Sequence, residues 1–151
     1  MKALFAGSFD PFTIGHLDIA MRALNLFGNL VIAIGDNEGK KCMWTVNERI
    51  HALKEKFHAY PNIEIYEYKG LTVDFARNIN ADFIVRGVRN IIDFEFEKNL
   101  ADVNKKISGI ETIILISEPS VAFVSSSMVK ELIHNGFDAS AYMAASYPQH
   151  K

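Results

Sequence analysis

Short apolar runs alternate along the chain with segments of three- and four-residue periodicity. Ala3-Leu4-Phe5-Ala6, residues 30–34, Phe83-Ile84-Val85 and residues 112–116 are largely apolar stretches of strand length, the pattern of strands buried on both faces. Residues 63–68 alternate instead, with Glu64 and Glu67 among apolar neighbours, and predict a strand with one wetter face. Between these runs lie helical patterns. Leu17, Ala20, Met21, Leu24 and Phe27 recur at helical spacing, and Gly28 supplies a C-terminal stop. Thr45 with Glu48 three residues on is a capping-box pair, opening a helix that carries Ile50, Leu53 and Phe57 and ends before Pro61-Asn62. Residues 72–79 predict a shorter helix, 92–107 a longer one, and 127–134 a last one closed by Gly136.

The order is strand, helix, five times over. Such alternation implies right-handed crossovers and a parallel sheet covered on both faces. No repeat, low-complexity tract or linker interrupts it, so the expectation is one α/β domain over residues 1–151, a single doubly wound parallel sheet with helices on both faces. Ligands of such folds collect at the carboxyl ends of the strands.

Composition narrows the class further. The 151 residues are 49% hydrophobic and 23% charged, which excludes disorder and collagen and suits one ordinary core. Sixteen Lys plus Arg against 18 acidic residues leave a net charge of −2, so no global field gathers nucleic acid. Cys42 is the sole cysteine and excludes an internal disulfide and a four-cysteine zinc site. The first residues lack the apolar length of a signal peptide, and no run is membrane-sized. A cytoplasmic protein with no membrane partner is expected.

The candidate chemistry lies just after the strands. Gly7-Ser8-Phe9-Asp10-Pro11 follows the first, with Gly15-His16 opening the helix. Neither the dinucleotide fingerprint nor the P-loop pattern is present. Gly7 and Gly15 would let main-chain N–H groups approach an anion, and His16 would donate to a phosphoryl oxygen; alternatively the pair is a polar cap with a surface histidine. Lys40-Lys41 follow the second strand and, taken alone, read as a solvated loop. Arg86-Gly87-Val88-Arg89 follow Val85 and suit phosphate oxygens, or else pair with Asp93, Glu95 or Glu97. Ser125-Ser126-Ser127 precede the last helix, as caps or as anion donors. Each offers donors at one mouth, which suggests a polyphosphate site. Histidines 51, 58, 134 and 150 show no metal-ligand spacing.

In order and spacing, Gly7-Ser8-Phe9-Asp10-Pro11 with Thr13-Ile14-Gly15-His16, Lys40-Lys41, Arg86-Gly87-Val88-Arg89 followed by Asp93-Phe94-Glu95-Phe96-Glu97, and Val124-Ser125-Ser126-Ser127 followed by Val129-Lys130-Glu131 resemble the bacterial phosphopantetheine adenylyltransferases. These belong to the nucleotidyltransferases that carry a T/H-x-G-H signature. The resemblance implies a Rossmann-like nucleotidyltransferase fold, transfer of AMP from ATP to 4′-phosphopantetheine, and Mg²⁺ held mainly through ATP phosphates without a named protein ligand. It also implies a homohexamer, with coenzyme A as a candidate feedback ligand. By the same resemblance, His16, Ser8, Lys40 and Arg89 are the catalytic candidates. Ser8, Lys40, Thr72 and Arg86 would hold phosphopantetheine. Ser8, Phe9, His16, Gly87, Val88, Arg89, Glu97, Val121, Ala122, Phe123, Val124, Ser125, Ser126 and Ser127 would hold ATP. Ala6, Ile14 and Cys42 depart from the residues common at their positions. The alternatives are a same-fold enzyme with another phosphate acceptor and a nucleotide-binding regulatory module.

Overall fold

The computed structural model describes residues 1–37 and 39–150. Ten main elements follow one another: β1 (Lys2–Gly7), α1 (Ile14–Phe27), β2 (Asn29–Gly35), α2 (Val46–Lys56), β3 (Ile63–Tyr68), α3 (Thr72–Asn78), β4 (Phe83–Val88), α4 (Ile91–Ser108), β5 (Glu111–Ile116) and α5 (Ser126–His134), with a short 3₁₀ turn at Ser140–Tyr142. The strands form one parallel sheet in the order β3-β2-β1-β4-β5. β1 pairs with both β2 and β4, so the order reverses beside it and its carboxyl end lies at the switch point of a doubly wound sheet. The α/β expectation holds.

Alternate residues of β1 sort the two faces. Ala3 and Phe5 pack with Ile32, Ile19 of α1 and Leu53 of α2. Leu4 and Ala6 pack with Val31, Ile84 and Val73 of α3. β3 is an edge strand, and Glu64, Tyr66 and Glu67 are exposed on it, as its alternation predicts.

Helix ends follow the sequence signals closely. Thr45 and Glu48 form the capping box: the Thr45 N–H donates to Glu48 at 2.8 Å and the Glu48 N–H donates to Thr45 Oγ1 at 3.2 Å. Gly28 takes φ +83°, where a side chain would be strained, and its N–H closes α1 on the Leu24 carbonyl. Two boundaries differ. β4 runs on through Val88, so Arg86 and Gly87 stand within the strand rather than after it. The ladder to β5, Arg86 opposite Ile114 and Gly87 opposite Leu115, carries the extra residues despite the low strand propensity of glycine. α5 starts one residue early, at Ser126, because the Ser125 hydroxyl caps it by accepting from the Met128 N–H; it ends at His134 as expected, with Asn135 rather than Gly136 as its C-cap.

Candidate active site

The first loop, residues 8–13, is tied down group by group. The Ser8 carbonyl accepts from Arg49 Nη1 at 2.6 Å, the Pro11 carbonyl from Ser126 Oγ at 2.8 Å, and the Thr13 carbonyl from the Leu17 N–H at 3.0 Å. Tyr147 Oη accepts from the Phe12 N–H at 2.8 Å and donates to the Phe9 carbonyl at 3.3 Å. Asp10, 1% exposed, accepts from the N–H groups of Met43 and Trp44 and from Lys130 Nζ. Burial alone would raise its pKa, but those two N–H groups and the ammonium outweigh it and hold the carboxyl below its ordinary value. The loop is thus a fixed platform rather than a mobile strand exit.

His16 sits at the third position of α1. Its Nδ1 accepts from the Thr13 N–H at 3.0 Å, while the His16 N–H donates to Thr13 Oγ1 at 3.3 Å. This is a capping box in which an imidazole takes the place usual for glutamate. Rings of Phe5, Phe9 and Phe12 surround it, with centroids 6.3, 5.1 and 5.4 Å away. Burial first, then the Arg86 and Arg89 guanidiniums, push its pKa down to about 3. With Nδ1 accepting, the proton of the neutral ring resides on Nε2, and His16 is a hydrogen-bond donor of fixed orientation at neutral pH. It is neither the surface histidine of the bland alternative nor a group able to trade protons there.

Arg86 is held by Glu97, with Nε to Oε2 at 2.8 Å and Nη2 to Oε1 at 2.7 Å, and Nη1 donates to the Ala6 carbonyl. Glu97 is the one buried residue of α4. The carboxylate alternative for Arg86 is thus the one the structure shows. Three of its five N–H donors are engaged, and two remain for a ligand. Arg89 pairs with Asp93 through Nε at 2.9 Å and Nη2 at 3.3 Å. Burial would raise Asp93, but Arg89 outweighs it and holds the carboxyl below its usual range. Asp93 also accepts from the Arg89 N–H, while its own N–H is capped by Asn90.

These groups enclose a cleft of about 300 Å³ lined by Ser8, Phe9, His16, Arg86, Gly87, Arg89, Glu97 and Val124 to Ser127, among others. The N-termini of α1 and α5 both open onto it, adding main-chain N–H donors and partial positive charge. Lys40 reaches its edge by donating to Ser8 Oγ at 3.2 Å. Phe9 contributes mainly main chain, its ring being in the core against Gly7 and His16. Thr72, Val88, Val121, Ala122 and Phe123 are not among the described lining residues. Thr72 lies at the start of α3, its hydroxyl 2.8 Å from that of Tyr68. Val88 is buried, and Phe123 is exposed with its ring against Tyr142. Ile14 packs on the Val124, Val129 and Ala139 cluster, which gives the departure at that position an apolar partner. A larger cavity, about 620 Å³, lies elsewhere, between α2 and the C-terminal segment, and contains none of the expected site residues.

Sequence reasoning missed Arg49 and Tyr147, and assigned no role to Asp10. Arg49 and Tyr147 act across 41 and 138 residues, so no local pattern signals them. Asp93 was legible as a partner of Arg89 by its i, i+4 spacing.

For a metal, the donor set is the wrong one. Among the described residues no group of three His, Cys, Asp or Glu could hold an ion. The two carboxylates at the cleft, Asp93 and Glu97, are committed to arginines.

A parallel sheet whose switch point carries two helix N-termini and two arginines is the arrangement of a nucleotidyltransferase, and the cytidylyltransferase-like family model matches residues 4–132. The chain is 48% identical over 139 residues to the phosphopantetheine adenylyltransferase of Flavobacterium psychrophilum, covering 92% of each. It is 43% identical over 142 residues to that of Bacteroides fragilis, covering 94% of this chain and 95% of the other. A bifunctional NMN adenylyltransferase/ADP ribose pyrophosphatase from Francisella tularensis, complexed with AMP and a manganese ion, superposes with a TM-score of 0.70 over 97% of this chain and 45% of that one. At 16% identity that likeness shows the fold alone. Within the cytidylyltransferase-like family, the chain belongs to the phosphopantetheine adenylyltransferases.

Proposed function

We propose that the cleft between the N-termini of α1 and α5 is where this chain, acting as one nucleotidyltransferase domain, transfers AMP from ATP to 4′-phosphopantetheine. The products are 3′-dephospho-coenzyme A and pyrophosphate, in coenzyme A biosynthesis. The acceptor phosphate attacks the α-phosphorus; its new P–O bond forms as the bond to pyrophosphate breaks. A phosphomonoester has a second pKa of about 6, so the attacking group is already mostly a dianion and needs no general base. What the protein must supply is placement and donors to the charge on the transferring group.

The carrying observation is His16: a neutral imidazole, Nδ1 occupied by the Thr13 N–H, with Nε2–H left to donate. It is assigned to the α-phosphate. Arg89 and the N–H groups of Ser126 and Ser127 at the α5 terminus are assigned to the triphosphate, with Val121 to Val124 bordering the nucleotide. Lys40 and the two unengaged donors of Arg86 are assigned to the acceptor's phosphate, Ser8 to both substrates and Thr72 to the pantetheine arm. Glu97 acts on Arg86 rather than on a ligand. The family implies a divalent metal with ATP; Mg²⁺ would enter on the triphosphate, and no step is assigned to it. The exposed apolar residues Ile92, Phe96 and Leu100 of α4 support self-association, which the resemblance gives as a homohexamer; coenzyme A, sharing the acceptor's pantetheine arm, would compete for the same cleft.

The test is pyrophosphate release from Mg-ATP with phosphopantetheine, nicotinamide mononucleotide or glycerol 3-phosphate supplied separately, in the native protein and in His16→Ala. Release is expected with phosphopantetheine alone, and the substitution should lower single-turnover rates by about 10²–10³, the scale for loss of a preorganised donor. Release with another acceptor would overturn the assignments of Lys40, Thr72 and Arg86. An unchanged rate in His16→Ala would remove the histidine from the reaction.

A further inference from the structure

The C-terminal segment lies beyond residues 4–132, where the family model matches, yet it is bonded to the loop that carries Ser8 and His16. Phe12, fully buried, has both main-chain groups satisfied from it: its N–H by Tyr147 Oη at 2.8 Å and its carbonyl by the Ala144 N–H at 3.0 Å. The same phenol donates to the Phe9 carbonyl at 3.3 Å. Phe9 has φ +46°, a conformation a non-glycine residue keeps only when its surroundings hold it there. Thr13 forms a β-bridge with Met143. The segment is itself anchored, since Trp44 Nε1 donates to the Pro148 carbonyl at 2.9 Å and the Trp44 ring lies 4.8 Å from that of Tyr147.

We infer that Tyr147 is a positioning residue for the adenylyl transfer: its hydroxyl spans Phe9 and Phe12 and so fixes the Thr13 N–H that orients the His16 ring. The inference rests on His16 acting as proposed above. The chain of contact is short. Phe12 is the neighbour of Thr13, and the Phe9 and Phe12 rings bracket the imidazole. Burial, with Asp10 nearby, pushes the phenol to about 12, so it stays protonated and donates to Phe9 at every working pH. Removing the hydroxyl leaves a buried N–H and a buried carbonyl without their partner, which the loop relieves only by shifting.

Tyr147→Phe keeps the ring against Trp44 and removes only the hydroxyl. The measurements are kcat and KM for both substrates, and the ¹⁵N shifts of the His16 imidazole in the protein without substrates. Ser108→Ala is the control, deleting a hydroxyl that bridges the Asn104 carbonyl and the Ile110 N–H far from the cleft. The expected result for Tyr147→Phe is a roughly tenfold lower kcat with little change in either KM. The His16 shifts should move away from those of a single Nε2–H tautomer, and the control should alter neither. Unmoved His16 shifts in Tyr147→Phe would overturn the inference, as would an equal loss of kcat in the control. Moved shifts with an unchanged kcat would leave Tyr147 holding the loop and take His16 out of the reaction, which His16→Ala reports independently.

Discussion

At the scale of the residue, His16 departs furthest from its usual behaviour. An unfolded chain takes up a proton on this imidazole near pH 6.5, whereas the folded chain does so only near pH 3. Between those values the unfolded state binds more protons, so this residue's contribution makes stability fall as the pH drops. The loss is at most about 2 kcal/mol by pH 5. Urea unfolding of the native protein and of His16→Gln at pH 7 and pH 5 measures it. The native protein should lose more stability than the variant on acidification, and parallel losses would show that the imidazole is not held neutral. Spacing made Arg86 legible as either a phosphate ligand or a carboxylate partner. It could not show that the Glu97 pairing leaves two donors of the guanidinium unengaged, because the geometry of the Glu97 fork depends on how α4 lies against β4. In the same way Gly15-His16 marked the helix start, while the imidazole's bond to the Thr13 N–H was hidden by the rarity of histidine in a capping box.

At the scale of the element, apolar runs located four strands, the alternation of residues 63–68 located β3, and the helical periodicities located all five helices. The apolar run of residues 112–116 does not mean burial on both faces: β5 is an edge strand with no buried residue and Ile116 exposed. β4 was shortened in that reading for a physical reason. Arg86 and Gly87 interrupt the apolar run, and only the neighbouring β5 reveals that the ladder continues. Gly87 looked like part of a phosphate loop, yet a Cβ there would come within 2.8 Å of Ile19 Cγ1 on α1. Its smallness lets α1 lie close to β4 and so brings the α1 N-terminus, with His16, to the strand's carboxyl end. Gly87→Ala should cost about 1–3 kcal/mol through overpacking. In an Ile19→Ala background, where the cavity accepts the methyl, the cost should shrink by at least about 0.5 kcal/mol. Denaturant midpoints of the four proteins in the cycle test this. Strict additivity, with a raised KM for ATP in Gly87→Ala, would return the glycine to a phosphate-contact role instead.

At the scale of the whole molecule, α4 is built the opposite way from an ordinary surface helix. It buries a glutamate and leaves Ile92, Phe96, Leu100, Val103 and Ile107 exposed, at steps of four, four, three and four residues. That spacing makes one continuous stripe along the helix. Ile91 and Phe94 widen it at the N-terminal end, and Ile116 of the neighbouring edge strand is 71% exposed. A stripe this long on the outside of a chain of net charge −2 would drive non-specific association unless another surface covers it. The opposite edge of the sheet, β3, carries Glu64 and Glu67 on either side of an exposed Tyr66, so no comparable apolar stripe runs along it. Copies of the same chain are the partner that the proposed hexamer supplies. Carboxylates at Phe96 and Ile92 should break it: sedimentation equilibrium of Phe96→Glu with Ile92→Glu should give a mass near 17.0 kDa, against a six-chain mass for the native protein. Every residue assigned to the cleft comes from one chain, so the dissociated variant should still bind ATP. A native protein that sediments as a single chain at micromolar concentration would overturn the assembly and leave the stripe to a different partner.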